Sequence, residues 1–188
     1  MGLERSRTRF TFGSPGSLAR TTLAQLALLL AIGVPALAQG TARPAAAAEL
    51  STGYAGFADD GTIGHGLVGG AMRVYVTPRL AVGPEFIYMV GPGDDRDIFA
   101  TGNLTFDLRS RSGPRPPRLV PYLLAGGGWF QHRDGFAGRT FRSNEGTFTA
   151  GGGVRGWLSD ATYVAAEYRV GWELHYRLTG HVGFAIGR

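Results

Sequence analysis

The chain contains no cysteine and no lysine, and only 18% of its residues carry charge. Without cysteine there can be neither a disulfide framework nor a thiolate metal site. All 19 basic residues are arginine, a usage we read as the codon bias of a GC-rich genome. The formal net charge of +5 and the high pI would suggest a polyanionic partner. That excess sits mostly in the first 38 residues, which hold four arginines and one glutamate. The remainder has 15 arginines against 13 acidic residues, so no nucleic-acid partner is expected. Convincing helical periodicity is also missing after residue 48, as is any apolar run there long enough to cross a bilayer as a helix. No H-E-x-x-H pair, nucleophile elbow or phosphate loop is present, because no lysine or helix start follows the glycine-rich runs.

What is present begins with a leader. Arg5, Arg7, Arg9 and Arg20 precede an apolar run from Leu23 to Ala38, which ends in Ala36-Leu37-Ala38. This is the order of a cleavable secretory signal peptide. At about 16 residues the run is short for a spanning helix, which wants about 20. Residues 1–38 are therefore expected to be removed, residues 39–48 to form a flexible lead-in, and residues 49–188 to form one domain.

In that domain apolar residues recur at every second position, the signature of strands. Eight segments are expected: 49–57, 65–76, 80–90, 98–108, 119–130, 147–158, 161–172 and 176–186. Short connections and an even number suggest an up-and-down meander closed into a barrel without edges. Parity separates two faces. Leu104, Phe106 and Leu108 oppose Thr105 and Asp107; Val164, Tyr168 and Val170 oppose Glu167 and Arg169; Leu178, Val182 and Phe184 oppose Arg177, Thr179 and His181. One face is nearly free of charge, while the other carries Arg73, Glu85, Asp107, Arg155, Glu167, Arg169, Arg177 and His181.

Parity alone does not say which face points inward. Export, aromatic residues near strand ends (Phe57, Phe130, Trp157, Trp172, Tyr176) and the narrow bore of eight strands favour an apolar exterior in lipid. The four arginines and three carboxylates of the other face would then form a nearly balanced network in the lumen.

The segments Gly83-Pro84-Glu85-Phe86-Ile87-Tyr88, Pro121-Tyr122-Leu123-Leu124-Ala125-Gly126-Gly127-Gly128 and Ala166-Glu167-Tyr168-Arg169, with a terminal alternating strand, resemble the small outer-membrane β-barrels of the OmpA and OmpX type. The resemblance covers residues 49–188. It implies an all-β, eight-stranded antiparallel transmembrane barrel located in the outer membrane. Outer-membrane lipid, lipopolysaccharide and the barrel assembly machinery would be its partners. Family members end on an aromatic residue that this machinery reads; here Phe184 and Ile186 stand nearest to that place.

With the first connection facing outward, Asp59, Asp60, Asp94, Asp95 and Asp97 would form an acidic outer rim, and a loop at 131–145 would be the best placed to meet a surface partner. Asp94-Asp95-Arg96-Asp97 is too short and irregular for a calcium loop, and no metal site or cofactor is expected. The function expected is structural or surface-interacting: adhesion or envelope integrity, without an open pore. Two alternatives remain open. One is an exported soluble barrel holding a small apolar ligand. The other is a lipid-modifying enzyme using His175 or His181; it lacks a local serine, since Ser51 could approach the last strand only if the barrel closes.

Overall fold

A computed structural model of the chain describes residues 44–59, 61–111, 116–136, 139–172 and 175–187. The expected leader and Asp60 of the expected acidic rim lie outside the described residues. Eight strands follow one another: β1 (Ala46–Asp59), β2 (Gly61–Tyr75), β3 (Leu80–Val90), β4 (Arg96–Asp107), β5 (Leu119–Phe136), β6 (Arg139–Trp157), β7 (Thr162–Gly171) and β8 (His175–Ile186). Each pairs antiparallel with the next, and β1 pairs with β8, so the sheet is a closed up-and-down barrel. No ladder changes register along its length. The β2–β3 ladder is interrupted where Met72 and Arg73 pass Gly83 and Pro84, then resumes in step. Proline offers no N–H there, and a Cβ on Gly83 would run into the carbonyl of Met72.

Side-chain hydroxyls shape two of the connections. Thr77 Oγ1 accepts the amides of Arg79 and Leu80 at 3.2 and 2.9 Å. Ser159 Oγ accepts those of Ala161 and Thr162 at 3.1 and 3.0 Å. The β3–β4 turn closes through the Gly91 amide on the Asp95 carbonyl at 3.0 Å. Gly93 sits there at φ 63°, a conformation that favours glycine.

Two boundaries differ from those read in the sequence. β1 starts at Ala46, inside the expected lead-in. More consequentially, residues 131–145 are not a loop. β5 and β6 continue as a paired ribbon up to Phe136 and Arg139. β4 pairs with β5 only as far as Arg133, and β7 with β6 only as far as Thr149. Ten residues of β6, 139–148, therefore pair with β5 alone, about 30 Å of strand at 3.3 Å per residue. Beyond Phe130 and Thr147 no described residue of this ribbon is buried, so its composition reads like that of a loop.

Burial decides which face points out. Along β7 and β8 nearly every second residue is exposed, and those residues are the apolar ones. Leu50, Val68, Phe86, Leu104, Leu123, Phe148, Val170 and Leu178 place exposed apolar groups on every strand. A continuous apolar girdle exceeds anything a monomer presents to water. It matches the lipid face of a membrane barrel, whose charged side chains point into the lumen. The interior is consequently no cavity for an apolar ligand.

The aromatic positions need correction. Trp172 and Tyr176 face outward as expected, and Trp172 packs on Phe148 with ring centroids 5.8 Å apart. Phe57, Phe130 and Trp157 do not join an interfacial girdle; their parity turns them into the bore. Phe130 packs there with Phe57 and Phe99, and Trp157 with Tyr163.

An apolar exterior makes a direct prediction. Val68→Arg, at mid-strand on the outer face, should lower the unfolding free energy in lipid vesicles by about 2–4 kcal/mol, measured by urea titration. A neutral result would mean that this face meets water.

Candidate functional site: the charged lumen and its outer mouth

Inside the barrel four layers can be followed from the end where β1 begins to the end where the β5–β6 ribbon projects. At the first end, Arg111 reaches under the bore. Arg111 is buried, its guanidinium 3.8 Å from the centroid of the Trp157 ring, and it donates to the Pro117 carbonyl at 3.0 Å.

The second layer is ionic. Arg73 Nε donates to Glu49 Oε1 at 2.7 Å and Arg73 Nη1 to Thr105 Oγ1 at 2.5 Å. Tyr163 Oη also donates to Glu49. Arg155 is fully buried; its Nη1 donates to both oxygens of Asp107 at 3.0 and 3.2 Å, and its guanidinium lies 4.7 Å from the Tyr122 ring centroid. Higher up, Glu85 receives Arg169 in bidentate form, two bonds of 2.9 Å, and Arg177 Nη2 at 3.4 Å. Asn103 and Thr101 donate to the same carboxylate. Arg169 Nε also reaches Glu167, which accepts Tyr122 Oη at 2.9 Å. Arg169 thereby joins the two centres. His181 sits between Glu49 and Glu167, 3.7 Å from each.

All eight residues that parity grouped on the charged side are buried in this layer. Glu49 is the one that sequence reasoning missed, because it stood at the edge of the first segment. Its inward position beside Ala47 and Ala55 was the available signal. With Glu49 counted, the described residues of this layer comprise four buried arginines (73, 155, 169 and 177) and four buried carboxylates (49, 85, 107 and 167), and the apparent excess of one arginine disappears. Such balance matters because an unpaired charge in a narrow interior costs several kcal/mol.

The third layer is apolar: Leu67, Ile87, Met89, Phe99 and Phe130, with Phe57 against them. Phe99 and Phe130 have ring centroids 4.5 Å apart.

Above it, at the mouth, lies a cluster that the sequence did not foretell. His65 Nε2 is 2.8 Å from Asp95 Oδ2 and 3.4 Å from Asp97 Oδ2. On the other side His132 Nδ1 is 2.7 Å from Asp97 Oδ1 and 3.5 Å from Asp95 Oδ1. His132 lies beyond the apolar band, which ends on β5 at Trp129. Partial burial works against its charge, but the Asp97 hydrogen bond and the charges of Asp97 and Asp95 outweigh it and raise its pKa. The expected acidic rim is thus broken up. Asp94 is exposed, whereas Asp95 and Asp97 are buried. Asp59 ends β1. The β3–β4 turn is short enough to swing Asp95 inward, and Asp97 already belongs to β4.

Closure also brings Ser51 directly opposite His181. His181 Nε2 contacts Thr179 Oγ1 at 2.9 Å, and its Nδ1 faces Glu49. His175 Nδ1 lies 2.6 Å from the Trp172 carbonyl. Neither imidazole forms a base–nucleophile pair with Ser51.

A closed eight-stranded barrel with an apolar girdle and inward charges defines a small integral membrane barrel. The chain belongs to the outer membrane protein β-barrel domain family, whose profile matches residues 24–182. Its fold is similar to that of Neisserial surface protein A, with a TM-score of 0.65 and 10% identity over 79% of this chain and 100% of the other. It is also similar to the N-terminal β-barrel domain of Pseudomonas aeruginosa OprF, with a TM-score of 0.61 and 13% identity over 75% and 97% of the two chains. A de novo designed transmembrane β-barrel aligns with a TM-score of 0.50 and 18% identity, covering 77% and 98%. No curated protein matches the chain significantly.

The role of Glu49 in the ionic layer predicts that Glu49→Ala, which strands Arg73, lowers stability by about 3–5 kcal/mol. A double-mutant cycle with Arg73→Met should show a coupling of more than about 1 kcal/mol. Denaturant unfolding of the reconstituted barrel reads both.

Proposed function

We propose that this protein is an exported outer-membrane barrel with a structural or surface-interacting role, and that its lumen is sealed rather than conducting. The observation that carries the proposal is the stack of filled layers across the bore: Arg111 on Trp157, the balanced arginine–carboxylate network, and the phenylalanine layer. Eight strands leave a bore that side chains can fill, and here long arginines and aromatic rings fill it. No catalytic role is assigned to the barrel. His181, opposite Ser51, is engaged with Thr179 and Glu49, and His132, opposite Ser143, with Asp97 and Asp95.

In this reading β1 begins on the periplasmic side and the β5–β6 ribbon projects outward from the cell. One feature of the ribbon supports a partner in the outer leaflet. Arg96, Arg133 and Arg142 stand side by side across β4, β5 and β6 on the outer face, just above Trp129 and the paired Gln131 and Asn144. Like charges directly opposite one another are destabilising in a sheet. Phosphate groups of lipopolysaccharide at that height would offset the repulsion, since arginine binds phosphate in bidentate fashion.

Two measurements test the proposal. In planar bilayers the purified barrel should show no stable stepwise conductance; steady ohmic channels would overturn the sealed lumen. In the source bacterium, deletion of the gene should increase envelope permeability to a hydrophobic dye or reduce surface attachment. A barrel whose ribbon is cut back to a short turn should still insert but should fail to restore attachment if the ribbon is the contact surface. Unchanged permeability and attachment after deletion would overturn the role itself.

A further inference from the structure

We propose that the mouth of the barrel holds a divalent transition-metal site, with His65, Asp95 and Asp97 as ligands and His132 as the residue that positions the two carboxylates. The proposal departs from the sequence-based expectation of no metal site and does not depend on the lumen being sealed.

Its first support is geometric. One ligand atom from each of His65, Asp95 and Asp97 lies within 4.8 Å of the other two. His65 Nε2 is 2.8 and 3.4 Å from the Asp95 and Asp97 oxygens. Zinc bonded to nitrogen and oxygen at about 2.0–2.1 Å in tetrahedral geometry requires donors about 3.3 Å apart. The donors therefore need only small displacements to accept an ion, and a fourth position is left for water.

Charge and hydrogen bonding give the second support. Two buried carboxylates side by side repel one another. His65 Nε2 can direct a single N–H at only one of them. Asp95, 8% exposed, has its Oδ2 against His65 Nε2, while its Oδ1 makes no hydrogen bond and meets only His132 Nδ1 at 3.5 Å, so its charge is poorly compensated. A dication with neutral His65 would balance both carboxylates at once. His132, 39% exposed, contacts the oxygens that the ion would not use, the arrangement by which outer residues orient metal ligands. It also marks the side from which an ion would enter.

A third observation concerns the space itself. At Gly91, in the β3–β4 turn, an added Cβ would collide with His65 Nε2 and lie 2.6 Å from Asp95 Oδ2. The absence of a side chain at Gly91 keeps the donor atoms approachable. The three ligands come from β2, the β3–β4 turn and β4, so a bound ion would tie the rim across three strands just above the phenylalanine layer.

The donor set fits zinc or a neighbouring first-row dication, with mixed nitrogen and carboxylate donors and no thiolate. The test uses tag-free, detergent-folded full-length barrel stripped with a chelator and titrated with Zn²⁺ by calorimetry and with Co²⁺ by visible absorption. One ion per barrel should bind, and Co²⁺ should give the intense visible bands of a tetrahedral centre. Folding of each variant is checked by the mobility difference between boiled and unboiled samples. His65→Ala and Asp97→Asn should each weaken binding at least tenfold. His132→Ala should weaken it about tenfold while leaving the Co²⁺ bands in place. Gly91→Ala, which removes no ligand, should weaken binding as strongly as loss of a ligand. Zn²⁺ should also raise the unfolding midpoint of the wild type and leave that of Asp97→Asn unchanged. Absence of stoichiometric binding, or binding undiminished in folded Asp97→Asn or Gly91→Ala, would overturn the site.

Discussion

Everything in this structure depends on closing β1 onto β8. Hydrocarbon offers no water to a backbone amide or carbonyl, so a sheet can cross a bilayer only when it has no edge. The twelve paired positions from Ala46↔Ile186 to Phe57↔His175 remove that edge. Closure at eight strands then fixes a narrow bore, and the bore dictates what the inward positions can hold. Glycines at sites such as 83 and 151, where a Cβ would overlap the carbonyl of the neighbouring strand, permit the close approach that this circumference demands.

The lumen follows from the same constraint. Residues with no access to lipid or bulk water must satisfy one another. The arginine–carboxylate network pairs the charges across the barrel, although Arg155 and Arg177 each keep two N–H groups without a hydrogen-bond partner among the described residues: Glu49 to Arg73 joins β1 and β2, Asp107 to Arg155 joins β4 and β6, and Glu85 to Arg169 joins β3 and β7. The last two pairs cross the bore between strands that are not sheet neighbours. They constrain the cross-section in a way that backbone ladders alone do not. Arg169 acts as the hinge of the arrangement because it contacts both Glu85 and Glu167.

The barrel is chemically polarised along its axis. One end carries buried Arg111 against the Trp157 ring, whereas the other carries imidazoles, carboxylates and a paired ribbon. The phenylalanine layer separates the ionic network from the mouth. That separation allows the mouth to bind or exchange small charged species without disturbing the pairs on which stability rests. Function in such a molecule is therefore expected at the outer rim and ribbon, consistent with the surface role we propose.

The sequence by itself determined the number of strands, their order and the grouping of side chains into two faces, because a period of two survives in the chain without knowledge of any partner. Alternation placed Arg73, Glu85, Asp107, Arg155, Glu167, Arg169, Arg177 and His181 together. It could not say which face was inside, since an alternating strand reads the same in a soluble and a membrane barrel. Tertiary structure decided that question, along with the inward turn of Phe57, Phe130 and Trp157. It also revealed Glu49 as the fourth carboxylate and the extension of β5 and β6 through a stretch with loop-like composition. The meeting of His65, Asp95, Asp97 and His132 was beyond sequence reasoning for a physical reason. Those residues come from strands brought side by side only when the β-ladders set their register, and no local spacing in the chain encodes that convergence.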